Sequence, residues 1–123
     1  MAAVVRGIRG ATTLDEDSVE QVYKRVQALV SEMLDRNGVS LDDLISMIFT
    51  ATDDVTAAFP ATAARALGLS DVPLLGAREM VVPGDPPYCV RVLAHAYSER
   101  SRAEIAHVYL EGAVSLRPDL APG

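Results

Sequence analysis

The sequence predicts a single α+β domain in which a mixed β-sheet is packed against one long helix. Its 123 residues are 50% hydrophobic and 23% charged, a composition typical of folded globular proteins. Apolar residues recur with a helical period in one long segment and run almost unbroken in several short ones, which favours the order β-α-β-α-β-β-β. One helix cannot cover strands that are apolar over most of their length, so we expect the chain to self-associate.

The longest predicted element is a helix that follows a first strand at residues 4–8. The strand leads into the glycine-punctuated segment RGIRGATT at residues 6–13. Apolar residues between Val19 and Leu34 then recur at i, i+3, i+4 and i+7, which predicts an amphipathic helix. Acidic residues just before it suit the positive end of the helix dipole, and Asn37-Gly38 supplies a C-terminal stop.

Proline, glycine and aspartate divide the rest of the chain into shorter elements. Pro60 stands where a first helical turn tolerates proline, and Ser101 and Glu104 have the spacing of a capping box. The expected elements are residues 40–43 (helical turn), 44–52 (strand), 61–67 (helix), 71–82 (strand), 83–87 (loop), 88–97 (strand), 101–104 (helical turn) and 107–116 (strand). We expect one domain over residues 1–117 and a short C-terminal tail over 118–123.

Charge and cysteine content argue against several classes of function. The net charge of −6 opposes binding to nucleic acids or anionic membranes, although Gly7-Ile8-Arg9-Gly10 matches the short GXXG pattern of KH modules. No apolar run reaches the ~18 residues of a membrane span, and we expect a cytoplasmic protein. Cys89 is the one cysteine, and His95 and His107 lack a third ligand at metal-binding spacing, so no metal site is expected.

Arginines stand at two positions that a solvated surface charge would not choose. Arg91 lies in the middle of the predicted strand 88–97, on the face it shares with Cys89 and Leu93. An arginine there must pair with a carboxylate such as Glu79 or bind an anionic ligand, because an unpaired buried charge is too costly. Arg9 lies between two glycines, where a tight turn could place its side chain either in a cleft or at the surface.

A glutamate and a tyrosine complete the candidate set. Glu79 is the only carboxylate in residues 72–82, and it could act in acid–base chemistry, pair with an arginine or accept a hydrogen bond from a ligand hydroxyl. Tyr109 is by default a strand aromatic, and Arg117 a terminal surface arginine. Together these residues suit a small ligand with two carboxylates, because guanidinium groups grip carboxylates in bidentate fashion.

Five segments in register resemble the monofunctional, Bacillus-type chorismate mutases of the AroH class. They are RGIRGATT at 6–13, ATDD to FPA at 51–61, REM at 78–80, CVRV at 89–92, and HVYLE with LRPDL at 107–120. The resemblance spans essentially the whole chain. It implies a pseudo-α/β-barrel homotrimer with active sites at the subunit interfaces. The implied reaction is the Claisen rearrangement of chorismate to prephenate, in phenylalanine and tyrosine biosynthesis, without a cofactor.

The resemblance also implies roles for individual residues. Arg91 would stand beside the ether oxygen of the substrate, and Glu79 would bind its ring hydroxyl. Arg9 and Tyr109 would hold a carboxylate, and Phe59 would wall the pocket from a neighbouring subunit. Further residues would contact substrate or line the entrance of the site: Ala61, Arg65, Leu75, Gly76, Leu116 and Arg117.

The chain departs from the family pattern at three positions. Leu75 and Gly76 stand where the family often has threonine and cysteine, and Thr62 replaces a lysine found in some members. None of these changes removes a charge from the expected site. The alternative function is a non-catalytic or differently catalytic trimer that binds small carboxylates at its interfaces, because a fold alone does not determine function.

Overall fold

The computed structural model describes residues 2–116, which form a mixed β-sheet and two α-helices. The elements are β1 (Val4–Thr13), α1 (Val19–Asn37), β2 (Leu44–Ala51), α2 (Pro60–Arg65), β3 (Leu74–Arg78), β4 (Cys89–Ser98) and β5 (Val108–Tyr109). Three 3₁₀ turns lie between or after them, at Leu41–Asp43, Arg102–Glu104 and Glu111–Leu116. The predicted order of strands and helices is confirmed.

The strand order in the sheet is β3-β2-β4-β1-β5. The three central strands pair antiparallel, with β4 between β2 and β1. The two short outer strands pair parallel with their neighbours, β3 with β2 and β5 with β1. This combination confirms the α+β class with a mixed sheet.

Helix α1 packs directly on the sheet because β1 has a glycine at the point of contact. A Cβ added to Gly10 would overlap Sδ of Met33 and lie 3.1 Å from Cδ1 of Leu29. The helix begins at Ser18, whose hydroxyl accepts a hydrogen bond from the Gln21 amide, and it ends at Gly38 in the left-handed conformation, with φ of 61°.

Only one face of the sheet is covered by α1 and α2. On β4 the inward residues Val90, Val92, Ala94 and Ala96 are all buried. The alternating residues Leu93 and Tyr97 are 36% and 51% exposed. The second face of the sheet is therefore open within one chain, and it carries Arg91.

The structure differs from the predicted boundaries in three places. β1 continues through the glycine segment to Thr13, because the full length of β4 pairs with it, so Arg9 lies in a strand and not in a turn. Only Leu74–Arg78 of the predicted strand 71–82 is extended in the sheet. The predicted strand 107–116 ends after Tyr109, since Glu111 takes φ of 52° and opens a 3₁₀ turn. Residues 118–123, the predicted tail, lie outside the described residues.

Within residues 2–116, neither helix is long and apolar enough to cross a lipid bilayer.

Candidate active site

Arg91 lies at the centre of the open sheet face, with a cavity of about 390 Å³ around it. Its Cα pairs with Thr50 of β2 on one side and with Ala11 of β1 on the other. Strands on both sides therefore supply the walls. The lining residues are Arg9, Gly10, Ala11, Ile48, Thr50, Glu79, Arg91, Val92, Leu93, Tyr109 and Leu116.

Glu79 directly follows β3 and is held by the adjacent strand β2. The Glu79 amide donates a 2.9 Å hydrogen bond to the Ala51 carbonyl, which continues the alignment of β3 with β2 by one residue. The hydroxyl of Thr50 donates a 2.6 Å hydrogen bond to Oε2 of Glu79, and the Met80 amide donates a 3.3 Å bond to Oε1. Oε1 keeps accepting capacity for a hydroxyl group in the cavity.

Arg91 faces two carboxylates and still lines the cavity. Its Nε lies 3.4 Å from Oε2 of Glu79, and its Nη2 lies 3.3 Å from Oδ2 of Asp85. Nε is buried and, despite the short distance to Glu79, makes no hydrogen bond of good geometry with any described residue. The structure contains the ion pair with Glu79 that the sequence offered as one interpretation of Arg91, and a third of the Arg91 side chain is exposed.

Arg9 and Tyr109 approach the same cavity from the other side. Arg9 lies opposite Leu93 in the β1–β4 pair, and its backbone amide donates a 3.0 Å hydrogen bond to Nδ1 of His107. Tyr109 is buried in β5, where its Cα pairs with Ala11. Leu116 ends the last 3₁₀ turn beside them. These three residues and Arg91 share one cavity although 25 residues separate Arg91 from Leu116 along the chain.

The other predicted site residues line a different cavity, of about 870 Å³, at the β3 edge of the sheet. Phe59 and Leu75 are 78% and 62% exposed there. The predicted residues of this group are Phe59, Ala61, Arg65, Leu75 and Gly76. None of them lines the cavity of Arg91. Arg117 lies outside the described residues.

Sequence reasoning missed Thr50, a polar residue that lines the cavity, and Asp85, which lies outside the cavity lining but contacts Arg91. Thr50 lines the cavity because it alternates with the buried Phe49 on β2, a signal that strand periodicity contained. Asp85 is the only carboxylate in residues 80–88, in the loop that leads into the strand of Arg91. That position made it a candidate partner for the arginine.

Cys89 lies two residues before Arg91, on the same face of β4. Burial raises the pKa of the Cys89 thiol, although the positive charge of Arg91 opposes the shift. The thiol therefore stays protonated at neutral pH and is a poor nucleophile. In the part of the chain that the structure describes, no group of three or more His, Cys, Asp or Glu side chains could hold a metal ion.

The fold and the cavity define an α+β protein with a guanidinium–carboxylate ion pair in a small cavity on the open face of its sheet. A sequence model of the family described as chorismate mutase type I matches residues 5–120. The chain therefore belongs to the type I chorismate mutase family, whose reaction makes it an isomerase.

Individual relatives agree with this assignment over nearly the whole chain. It is 49% identical over 118 residues to the chorismate mutase AroH of Thermus thermophilus, covering 95% of this chain and 97% of that protein. It is 39% identical over 119 residues to the chorismate mutase AroH of Bacillus subtilis, covering 96% and 94%. A solved chorismate mutase structure from Clostridium thermocellum superposes with a TM-score of 0.87 at 42% identity, covering 89% of this chain and 98% of that one.

Proposed function

We propose that this protein converts chorismate to prephenate by capturing a compact conformer of the substrate and stabilising the breaking C–O bond. The observation that carries the proposal is the Arg91–Glu79 pair, with 3.4 Å between Nε and Oε2, in the cavity of the open sheet face. We place the enzyme in the cytoplasm, where its single cysteine, Cys89, stays reduced.

The reaction is unimolecular, so the protein has to supply positioning and charge. The ether C–O bond breaks while a C–C bond forms within the same molecule, and no proton, nucleophile or cofactor enters the balance. Negative charge develops on the ether oxygen as the bond lengthens. Arg91 suits that oxygen because a guanidinium stays protonated, and a third of its side chain is exposed beside a cavity with apolar walls.

Glu79 fixes the ring of the substrate in this scheme. Thr50 holds one carboxylate oxygen, and the other can accept a hydrogen bond from the ring hydroxyl. Because a carboxylate repels the anionic groups of the substrate, Glu79 also favours the orientation that directs the hydroxyl toward it. Holding the reacting ends near each other removes much of the entropic part of the barrier.

Arg9 and Tyr109 are proposed to bind a carboxylate of the substrate. Arg9 lines the cavity, and among residues 2–116 it belongs to none of the ion pairs. The Tyr109 hydroxyl can donate to the same carboxylate.

We further propose that the site is completed by a neighbouring subunit in a homotrimer. Each chain has an open sheet face with Arg91 and, at the β3 edge, a second cavity with the exposed side chains Phe59 and Leu75. A three-fold arrangement lets the edge of one subunit meet the open face of the next, because its interfaces join two different surfaces. The resulting pseudo-α/β-barrel would place Phe59, Ala61, Leu75 and Gly76 opposite Arg91 and Leu116, with Arg65 and Arg117 lining the entrance.

The test is a continuous ultraviolet assay that follows the loss of the chorismate diene absorbance, with prephenate confirmed by acid conversion to phenylpyruvate. We expect turnover without added metal or cofactor, and a loss of roughly 10²-fold or more in kcat for Arg91→Ala. The matched control is Arg36→Ala, which removes a surface arginine paired with Glu32 on α1. A near-wild-type kcat in Arg91→Ala would refute the role of Arg91. A folded trimer without turnover would instead favour the non-catalytic binding of small carboxylates.

A further inference from the structure

Asp85 places a second carboxylate on Arg91, and the proposed mechanism does not use it. Its Oδ2 lies 3.3 Å from Nη2 of Arg91, while Glu79 lies 3.4 Å from Nε. The side chains of Arg91 and Asp85 are each about one-third exposed, at 33% and 31%. The Arg91 guanidinium therefore forms ion pairs with two carboxylates. Arg91, Glu79 and Asp85 together have a net charge of −1 beside the cavity proposed to bind an anionic substrate.

The two carboxylates are held with different strength. Glu79 is fixed by the Thr50 hydroxyl and by its own backbone bond to β2. Asp85 belongs to residues 80–87, whose one internal turn is the bond from its amide to the Val82 carbonyl, 3.2 Å long. Within residues 2–116, two hydrogen bonds join this loop segment to the rest of the chain: the Met80 amide donates to the neighbouring Glu79 carboxylate, and Arg91 donates to Asp85. An ion pair whose side chains are about one-third exposed contributes little and is readily replaced.

The cavity favours the loss of one carboxylate when a ligand arrives. Its walls include the apolar side chains Ile48, Val92 and Leu93. A substrate anion beside Arg91, Glu79 and Asp85 would bring a third negative charge to one cation in these surroundings, which is unfavourable. Asp85 is the carboxylate that can leave, because among the described residues its carboxylate accepts a hydrogen bond from Arg91 alone, whereas that of Glu79 also accepts from Thr50 and Met80.

We propose that Asp85 is a specificity-determining residue that occupies the Arg91 guanidinium in the empty site and is displaced by the substrate. The inference rests on the proposed function, since it takes Arg91 as the cation that meets chorismate. The internal carboxylate raises the KM for the substrate. It also selects against weakly bound small anions, because an anion has to outcompete Asp85 to reach Arg91.

The experiment compares Asp85→Asn with wild type in the chorismate assay, with KM and kcat measured separately. We expect KM to fall roughly two- to fivefold, the scale of a partly exposed ion pair, and kcat to stay within about twofold. Asp85→Glu, which keeps the charge, is expected to restore KM toward wild type. The ratio of the two KM values is expected to approach one near 1 M salt, where screening is strong. The control Asp42→Asn makes the same charge change at an exposed position in the 3₁₀ turn just before β2. We expect no change in KM for this variant.

Two results would overturn the displacement of Asp85. An unchanged KM in Asp85→Asn would mean that Asp85 does not compete with substrate. A kcat reduced about tenfold or more would mean that Asp85 stays on Arg91 and positions it during the reaction. The wild-type rate in the same run tests the proposed function separately. Calorimetry with malonate, a simple dicarboxylate, tests the displacement without turnover: Asp85→Asn should bind malonate more tightly than wild type, and equal affinity would refute the proposal.

Discussion

The hydroxyl of Thr50 donates a 2.6 Å hydrogen bond to Oε2 of Glu79. A side chain of β2 therefore orients the carboxylate of the residue that follows β3. The same oxygen lies 3.4 Å from Nε of Arg91. We therefore expect Thr50 to act as a positioning residue, which orients the Glu79 carboxylate relative to the guanidinium of Arg91.

Replacing Thr50 with valine keeps the shape of the side chain and removes the donor. We expect kcat to fall about tenfold, since a hydrogen bond to a charged group contributes about 1.5–3 kcal/mol and Glu79 can relax to recover part of it. The matched control is Thr12→Val on β1, where the buried hydroxyl has no hydrogen-bond partner among the described residues. That variant should leave kcat unchanged and keep or raise the melting temperature. Equal kcat values in wild type and Thr50→Val would refute the positioning role of the Thr50 hydroxyl.

Removing the Arg9 guanidinium should weaken substrate binding. A carboxylate clamp acts on the bound substrate as well as on the transition state, so Arg9→Ala is expected to raise KM at least as clearly as it lowers kcat. Steady-state kinetics beside the Arg36→Ala control separates this effect from the loss of one positive charge. This rise in KM is opposite to the fall in KM expected for Asp85→Asn. A KM at the wild-type level would contradict the role of Arg9.

Mixing two inactive variants tests whether the site is shared between subunits. Arg91→Ala removes the cation of the open face, and Phe59→Asp places a charge in the second cavity, where Phe59 is 78% exposed. Chains mixed in equal amounts and refolded together should form one intact site in roughly four, because each shared site draws on two subunits. Activity is compared with each variant refolded alone. No gain over those two samples would indicate that each site is built within one chain.

Asp17 connects the start of α1 to the loop that carries Phe59. Its carboxylate accepts hydrogen bonds from the Thr56 hydroxyl and from the amides of Thr56 and Ala57, and these bonds hold the pKa of Asp17 below its usual value. A lowered pKa in the folded state gives stability that is complete above the unfolded pKa and is lost as the pH falls through the folded value.

The Asp17→Asn variant should therefore melt at a lower temperature than wild type at neutral pH. The difference is expected to shrink below about pH 4, as protonation removes the same carboxylate charge from wild type. Thermal melts between pH 3 and pH 7 measure it. Glu16→Gln is the control, an exposed neighbour whose side chain takes part in none of the hydrogen bonds described for residues 2–116. A difference that stays constant across this range would refute the account.

Gly10 permits the close approach of α1 to β1. Because a Cβ there would overlap Sδ of Met33 in a tightly packed core, Gly10→Ala should lower the free energy of unfolding by about 1–3 kcal/mol. The control is Gly7→Ala in the same strand, where the nearest atom would be Cδ1 of Leu93 at 3.7 Å, an ordinary contact. Urea unfolding followed by circular dichroism measures both. Equal stabilities of the two variants would contradict the packing argument.

Local patterns of the sequence determined the elements and the faces of this protein. The helical period between Val19 and Leu34 predicted α1, and strand alternation placed Arg91 on the face opposite the buried Val90 and Val92. These predictions succeeded because helix and strand periods depend on residues a few positions apart. The spacing of family motifs added the identity of the family, which the comparisons confirm.

Only the tertiary structure decided which residues meet. Strand order placed β2 between β3 and β4, so that Thr50 contacts Glu79 beside Arg91, and the loop before β4 brought Asp85 to the same guanidinium. The helix packed on Gly10 and the pairing with β4 kept Arg9 in a strand where glycines predicted a turn. These contacts join residues far apart in sequence, and their energies depend on the packing of the whole sheet. A hydrophobic pattern over a few neighbouring residues carries no information about such contacts.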